Sequence, residues 1–414
     1  MGTSVTAFAG PATRRRHPGQ RRALAPLGCG HVTMQPTLLS TPAGACLMPC
    51  SDVLTGLRRR AACGLLALLT AATGAQPVAA PATAGASGPA VTRLRVVGGL
   101  ADVNQYTRHE QPFWTQTLPA LTQGQLQAEI VPFDRAGIRG QSMLRLLQLG
   151  VVPFGTVLLN LSNADDPLLA APALPGLFFD LPALRQALAM FRPVLQQRLR
   201  ERHGIELLAV YAYPAQMLFC RRPMAGLDDL AGRRVRVSSV TQADLMAALG
   251  AQPVYTEFAD LLPQVAAGTV DCAITGSMSG NTIGLHTISS HLYALPINWG
   301  LSFFAANAAA WAALPAPLQL LLRQHLPQLE QAIWSEAERE TGDGVACNTG
   351  AASCKGGQRG RMALVQATPA DRQRLRQLVQ QQVLPRWVKR CGQDCAAVWN
   401  STLGQAAGLP TAAH

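Results

Sequence analysis

The stretch LDDLAGRRVRVSSVTQADLMAALGAQPVYTEFADLLPQVAAGTVDCAI, from Leu227 to Ile274, decides the fold. Val235–Val237 is a short β-branched run and reads as a strand. Thr241–Leu249 has helical periodicity and meets Gly250 just beyond its end, and QPVYT reads as a second strand. Phe258–Ala267 is a second helix halted by Gly268, and TVDCAI a third strand. Helical periods alternating with short apolar runs, each helix closed by glycine, mark βαβ units around a parallel sheet. Arg236 lies at the tip of the first strand, with Ser238, Ser239 and Thr241 just after it. A guanidinium where a strand enters a helix, among hydroxyls, suits a carboxylate. The plainer alternative is a surface arginine grouped with Arg233 and Arg234.

Outward from this core, Leu94–Leu100 reads as a buried first strand ending in paired glycines, and QAEIVPF as a second. His109–Leu121 reads as a helix with Pro112 in its first turn, Ser142–Leu149 as another, and VVPFGTVLL as the next strand. Ala183–Arg202 is a long amphipathic helix whose apolar side carries Phe191, Val194, Leu195 and Leu199. Ile205–Arg221 is a long apolar run broken by Pro214, which suits a strand crossing between two lobes, and Tyr293–Asn307 is the return crossing. Pro317–Arg339 is a long helix, followed by a Gly-rich, cysteine-bearing stretch from Gly342 to Arg361 and helix again from Pro369 to Trp387.

The order of motifs resembles the DctP-type solute-binding proteins of TRAP (tripartite ATP-independent periplasmic) transporters. The resemblance rests on L-x-D-L-x-G-x-x-V-R-V, A-L-G-A-x-P-V and A-x-G-x-V-D in the stretch quoted above. Gly124–Phe133, Leu174–Phe179 and the N-x-x-x-W-x-x-L-P run from Asn307 to Pro315 extend it over roughly residues 91–340. It implies an α/β, two-lobed, type II-like periplasmic binding fold with an interlobe cleft. One lobe is expected from 91–213 with 301–340, the other from 214–300, and 341–414 packs on both. Arg236 matches the family's carboxylate-clamping arginine. The family's second cleft position, often arginine, falls on Gln216, and its polar cleft-lining residue falls on Thr275 within TGSMSGN. Glu110, with Phe113 and Trp114, is a candidate anionic cap suited to an amino group, the alternative being a first-turn acid beside core aromatics. Trp299 and Tyr213 are candidates for the cleft wall or for core packing.

The 414 residues carry a formal charge of +12. Eight arginines and a single acid, Asp52, precede Gln76, which leaves the remainder at +5. No concentrated basic face with interleaved aromatics supports a nucleic-acid partner. Arg58–Arg60 followed by AACGLLALLTAA reads as a secretory signal cleaved after Ala75, Ala79 or Ala80. A start at Met48 gives it ordinary length, and residues 76–90 form a Pro/Ala/Gly linker. Export makes the six remaining cysteines disulfide candidates. Cys347 with Cys354 and Cys391 with Cys395 close short loops, leaving Cys220 with Cys272. A zinc site from the last four is the competing reading, disfavoured by their spacing.

Enzyme motifs are missing: GSMSG puts Met278 where a nucleophile elbow needs serine, and no GxGxxG, P-loop or HExxH occurs. His286 and His291, five apart on an expected helix, do not share a face. The reading is a periplasmic receptor that hands a small organic acid to a membrane TRAP permease, acting as a monomer without cofactor or metal. A ligand-sensing adaptor with the same fold is the alternative.

Overall fold

The computed structural model describes residues 91–411; the expected signal peptide, linker and alternative start lie outside them. Among the described residues, nine strands form one mixed sheet. They are β1 (Thr92–Gly98), β2 (Leu126–Pro132), β3 (Phe154–Leu158), β4 (Ile205–Cys220), β5 (Arg234–Val237), β6 (Gln252–Tyr255), β7 (Cys272–Gly276), β8 (His291–Asn307) and β9 (Ala363–Val365). Their spatial order is β2-β1-β3-β8-β4-β7-β5-β6, with β9 beside β8. β1 pairs in parallel with β2 and β3, and β5 in parallel with β6 and β7, as βαβ crossovers require.

β4 and β8 organise the rest. β3 pairs with the second half of β8, from Ser302 to Ala306, while β7 pairs with the second half of β4, from Gln216 to Cys220. The two long strands are antiparallel to each other, so one end of the ribbon belongs to each half of the sheet. The fold is the two-lobed binding architecture, and the long apolar runs are its crossing strands. β4 is buried at every position except Gln216. Its pairing with β8 slips between Ala212 and Ala215, around Pro214, which has no N–H to give to a ladder.

The quoted core forms as expected, with shifted ends. The first helix runs Val240–Ala248, and Ser239 caps it by accepting from the Gln242 backbone N–H at 3.2 Å. The second runs Leu261–Ala266, and the third strand begins later, at Cys272. Helix Leu181–His203 starts at the Asp180 cap and stops at Gly204, whose φ of 62° closes it.

Three boundaries differ for physical reasons. The helix expected at His109–Leu121 begins at Gln105 and is π-helical over Gln105–Glu110 and Phe113–Thr117. Pro112 and Pro119 lack N–H groups and crowd the carbonyl four residues back, and a wider turn relieves both conflicts. The long helix runs Ala316–Thr349, straight through Gly342 and Gly344. Glycine reads as a helix breaker, yet a Cβ on Gly344 would collide with the Met278 backbone nitrogen. The residue is glycine because helix Ser277–Thr282 presses against it. His286 lies in a short 3-10 turn and His291 opens β8, so neither belongs to the expected helix.

The core has two faces. Leu94, Val96, Trp114, Leu118, Phe304 and Leu326 are buried together on one side of the first half-sheet. A larger cluster runs from Phe191 and Leu195 through Val235 and Ile274 to Trp387 and Trp399 in the C-terminal helices. The pairs Cys220–Cys272, Cys347–Cys354 and Cys391–Cys395 are disulfide-bonded as expected. Cys220 and Cys272 face each other directly across β4 and β7.

Candidate functional site

β5 ends where the two halves of the sheet meet, and this places Arg236 in the wall of a cavity of about 180 Å³ between them. The side chain is 3 % exposed. Its Nε and Nη2 donate to the Thr256 carbonyl oxygen at 2.9 and 2.7 Å, and Nη1 donates to the Ile274 carbonyl oxygen at 2.8 Å. A guanidinium has five N–H donors. The fork between Nε and Nη2 is consumed by Thr256, and one N–H on each terminal nitrogen is left over. No acidic side chain forms an ion pair with it among the described residues. Burial pushes its pKa down to about 10, with Glu257 opposing the shift, so the group stays charged at neutral pH. Nature rarely buries an unpaired cation. Here carbonyl oxygens hold it in place and leave two of its five N–H groups for an incoming acceptor.

Gln216, Thr275 and Tyr213 line the same cavity. Gln216 donates through Nε2 to the Pro214 carbonyl oxygen at 3.1 Å, which leaves its Oε1 without a partner among the described residues. Tyr213 and Gln216 are three apart on β4 and would face opposite ways in a regular strand. The slip around Pro214 turns both toward the cleft. Thr275 is the penultimate residue of β7, and its hydroxyl has no hydrogen-bond partner among the described residues. Within TGSMSGN, Ser279 also lines the cavity, while Ser277 turns away and donates to the Glu340 and Thr341 carbonyl oxygens, both at 3.1 Å.

Two candidates lie elsewhere. Glu110 does not cap the cleft: the earlier helix start makes it a mid-helix residue aimed at the core. There it accepts from Gly99 N–H at 2.9 Å, Gln105 Nε2 at 2.7 Å and Thr156 Oγ1 at 3.0 Å. Burial raises its carboxyl above the usual range, and Phe113 and Trp114 are core beside it. Trp299 does not line the cavity either. Gly300 does, and strand alternation sends Trp299 to the other face, where Nε1 donates to the Phe178 carbonyl oxygen at 3.0 Å.

Several wall residues escaped the sequence reading. A Cβ on Gly300 would come within 2.9 Å of Tyr213 Cβ and 3.2 Å of Gln216 Nε2, so the cavity needs glycine there. Asn160, after β3, donates to Ser238 Oγ, after β5, at 3.1 Å and joins the two sides of the cleft. Glu257 follows β6 and adds the cavity's one carboxylate. Neither a hydrogen-bonding pattern nor a period marks any of these in sequence. Asp343 lies near Cys347 and Cys354, but those sulfurs are bonded to each other and offer no thiolate to a metal.

Residues 102–388 match the family model for bacterial extracellular solute-binding protein, family 7 (DctP). The chain belongs to this family. Its members are solute-binding receptors, and DctP membership fits the cavity's place between the two halves. A solute-binding protein of Roseobacter denitrificans is 26 % identical over 158 residues, covering 38 % of this chain and 48 % of that protein. The match thus spans about half the length of that curated relative. Among solved structures, a Bordetella pertussis extracytoplasmic solute receptor, DctP7, binding pyroglutamic acid superposes with a TM-score of 0.68 at 23 % identity. It covers 75 % of this chain and 99 % of that one. A TRAP periplasmic solute-binding protein of Desulfovibrio salexigens with bound orotic acid gives 0.68 at 14 % identity, covering 76 % and 98 %. No described helix of this DctP-family chain is long and apolar enough to cross a membrane.

Proposed function

We propose that this DctP-family protein is a periplasmic receptor that captures a small organic acid and delivers it to a TRAP permease. The observation that carries the reading is Arg236 itself, a buried, charged guanidinium with two unused N–H groups at the wall of the interlobe cavity. The ligand carboxylate takes the two spare N–H groups. Gln216 and Thr275 orient it, and closure of 91–213 with 301–340 onto 214–300 removes water and strengthens the ion pair. Binding is reversible and forms no covalent bond. Export by a cleaved signal brings the chain to the periplasm. The two solved relatives described above bind ligands that are both carboxylic acids, which supports this class.

Isothermal titration with a set of small carboxylic acids tests it. Two charge-assisted hydrogen bonds are worth about 1.5–3 kcal/mol each, so Arg236→Ala should weaken binding by about a hundredfold or more. Arg236→Lys keeps the charge but not the fork and should fall between the two. Circular dichroism checks that both variants fold. Equal affinity in folded wild type and Arg236→Ala would refute the role.

A further inference from the structure

We infer that the ligand is a compact monocarboxylate with an N–H donor beside its carboxylate, and that Glu257 is the side chain that selects it. Glu257 belongs to the segment that leaves β6; Tyr255 at the strand's end and Thr256 and Phe258 beyond it also face the cavity. Glu257 is partly buried, and no hydrogen bond or ion pair engages its carboxylate among the described residues. Its charge reaches Arg236, where it favours the protonated guanidinium. The cavity therefore presents one cation with two unused donors and one anion with unused acceptors, in a single chamber.

That pairing sorts ligands. A carboxylate seated on Arg236 with nothing else to offer meets Glu257 as a like charge in a partly desolvated space. A ligand that places an N–H toward Glu257 replaces that repulsion with a charge-assisted hydrogen bond. A ring amide and an ammonium both supply such a donor. Leu100, Phe133, Leu161 and Val237 give the wall apolar surface against which the body of a compact ring can pack. At about 180 Å³ the chamber is comparable to a cavity of about 150 Å³ that accommodates benzene, so a five-membered ring bearing one carboxyl fits it.

Given the receptor reading on which this depends, three acids of nearly one shape provide the test. They are cyclopentanecarboxylate, which has no N–H, pyroglutamate, which has an amide N–H, and L-proline, which has an ammonium. Titrations are run on wild type, Glu257→Ala and Glu257→Gln. Wild type should prefer an N–H-bearing acid over the carbocycle by about tenfold or more. In Glu257→Ala that acid should weaken by about tenfold while cyclopentanecarboxylate binds more tightly, since the like charge is gone. Opposite shifts cannot come from a damaged fold. Glu257→Gln separates the two donors: its carbonyl still accepts from an amide, so pyroglutamate keeps most of its affinity, while proline loses its ion pair. An N–H preference that survives in Glu257→Ala, or affinities that fall together, would overturn the assignment of Glu257 and leave Arg236 untouched. If none of the three binds wild type, the ligand class is wrong, and the receptor reading is then judged on the wider acid set with Arg236→Ala.

Discussion

Replacing Glu340 with glutamine should remove a pH dependence of stability that the fold builds into its longest helix. Glu340 is 6 % exposed and accepts from Asn104 Nδ2, which ties the Ala316–Thr349 helix to the start of the Gln105–Leu121 helical run. Burial is the main cause that pushes its carboxyl up to about 7 from an ordinary 4.5; the Asn104 bond works against the shift and the neighbouring Glu336 adds to it. A carboxyl with a raised folded-state pKa binds its proton more tightly folded than unfolded. Its contribution is complete below pH 4.5 and is lost as pH rises through 7. At about 1.4 kcal/mol per tenfold change in proton affinity, the loss comes to about 3 kcal/mol. Glutamine keeps the acceptor for Asn104 and has no charge to bury. Urea unfolding at intervals from pH 4.5 to 8 should therefore give equal stabilities at the acid end and a variant about 3 kcal/mol more stable at the alkaline end. Other titrating groups cancel in the difference between the two curves. Parallel curves would mean that the carboxyl is ionised in the folded protein near neutral pH, and the account of its surroundings would be wrong.

Gly344→Ala should destabilise the protein by about 1–3 kcal/mol, read as a lowered thermal midpoint, because the new methyl meets the Ser277–Met278 backbone rather than a movable side chain. An unchanged midpoint would show that the two helices are not in close contact. Cys220→Ser with Cys272→Ser opens a loop of 52 residues and should cost about 4 kcal/mol in denaturant unfolding on chain-entropy grounds. A loss below about 1 kcal/mol would place the constraint elsewhere.

Periodicity and punctuation located most of the scaffold. Alternating strand and helix signals found β5, β6, β7 and the helices between them, and the sheer length of two apolar runs found β4 and β8. Spacing alone leaves Arg236 open between a carboxylate receptor and a surface arginine; the family resemblance favours the first, and the fold buries the side chain in the cavity wall. The cleft's other walls were less legible. Alternation along β4 fails at Pro214, so facing residues cannot be counted from either end. Glu257 sits in a segment with no period, and its role comes only from what the fold sets opposite it. Glu110 misled because helix start signals gave His109, whereas π-turns around two prolines carry the helix back to Gln105. Gly342 and Gly344 misled in the same sense: glycine signals either freedom or crowding, and composition does not say which.

The Ala316–Thr349 helix touches both sides of the cleft, reaching Asn104 through Glu340 and the Ser277–Thr282 helix at Gly344. With the β4–β8 ribbon it makes a third strut across the joint. A jaw hung on two strands alone would swing loosely, but one braced by a rod moves only as far as the rod flexes. Closing the cleft then has to bend that brace as well as the ribbon. Substitutions far from any ligand atom, along the rod's seams, become dials for how tightly the jaw holds and how readily it lets go.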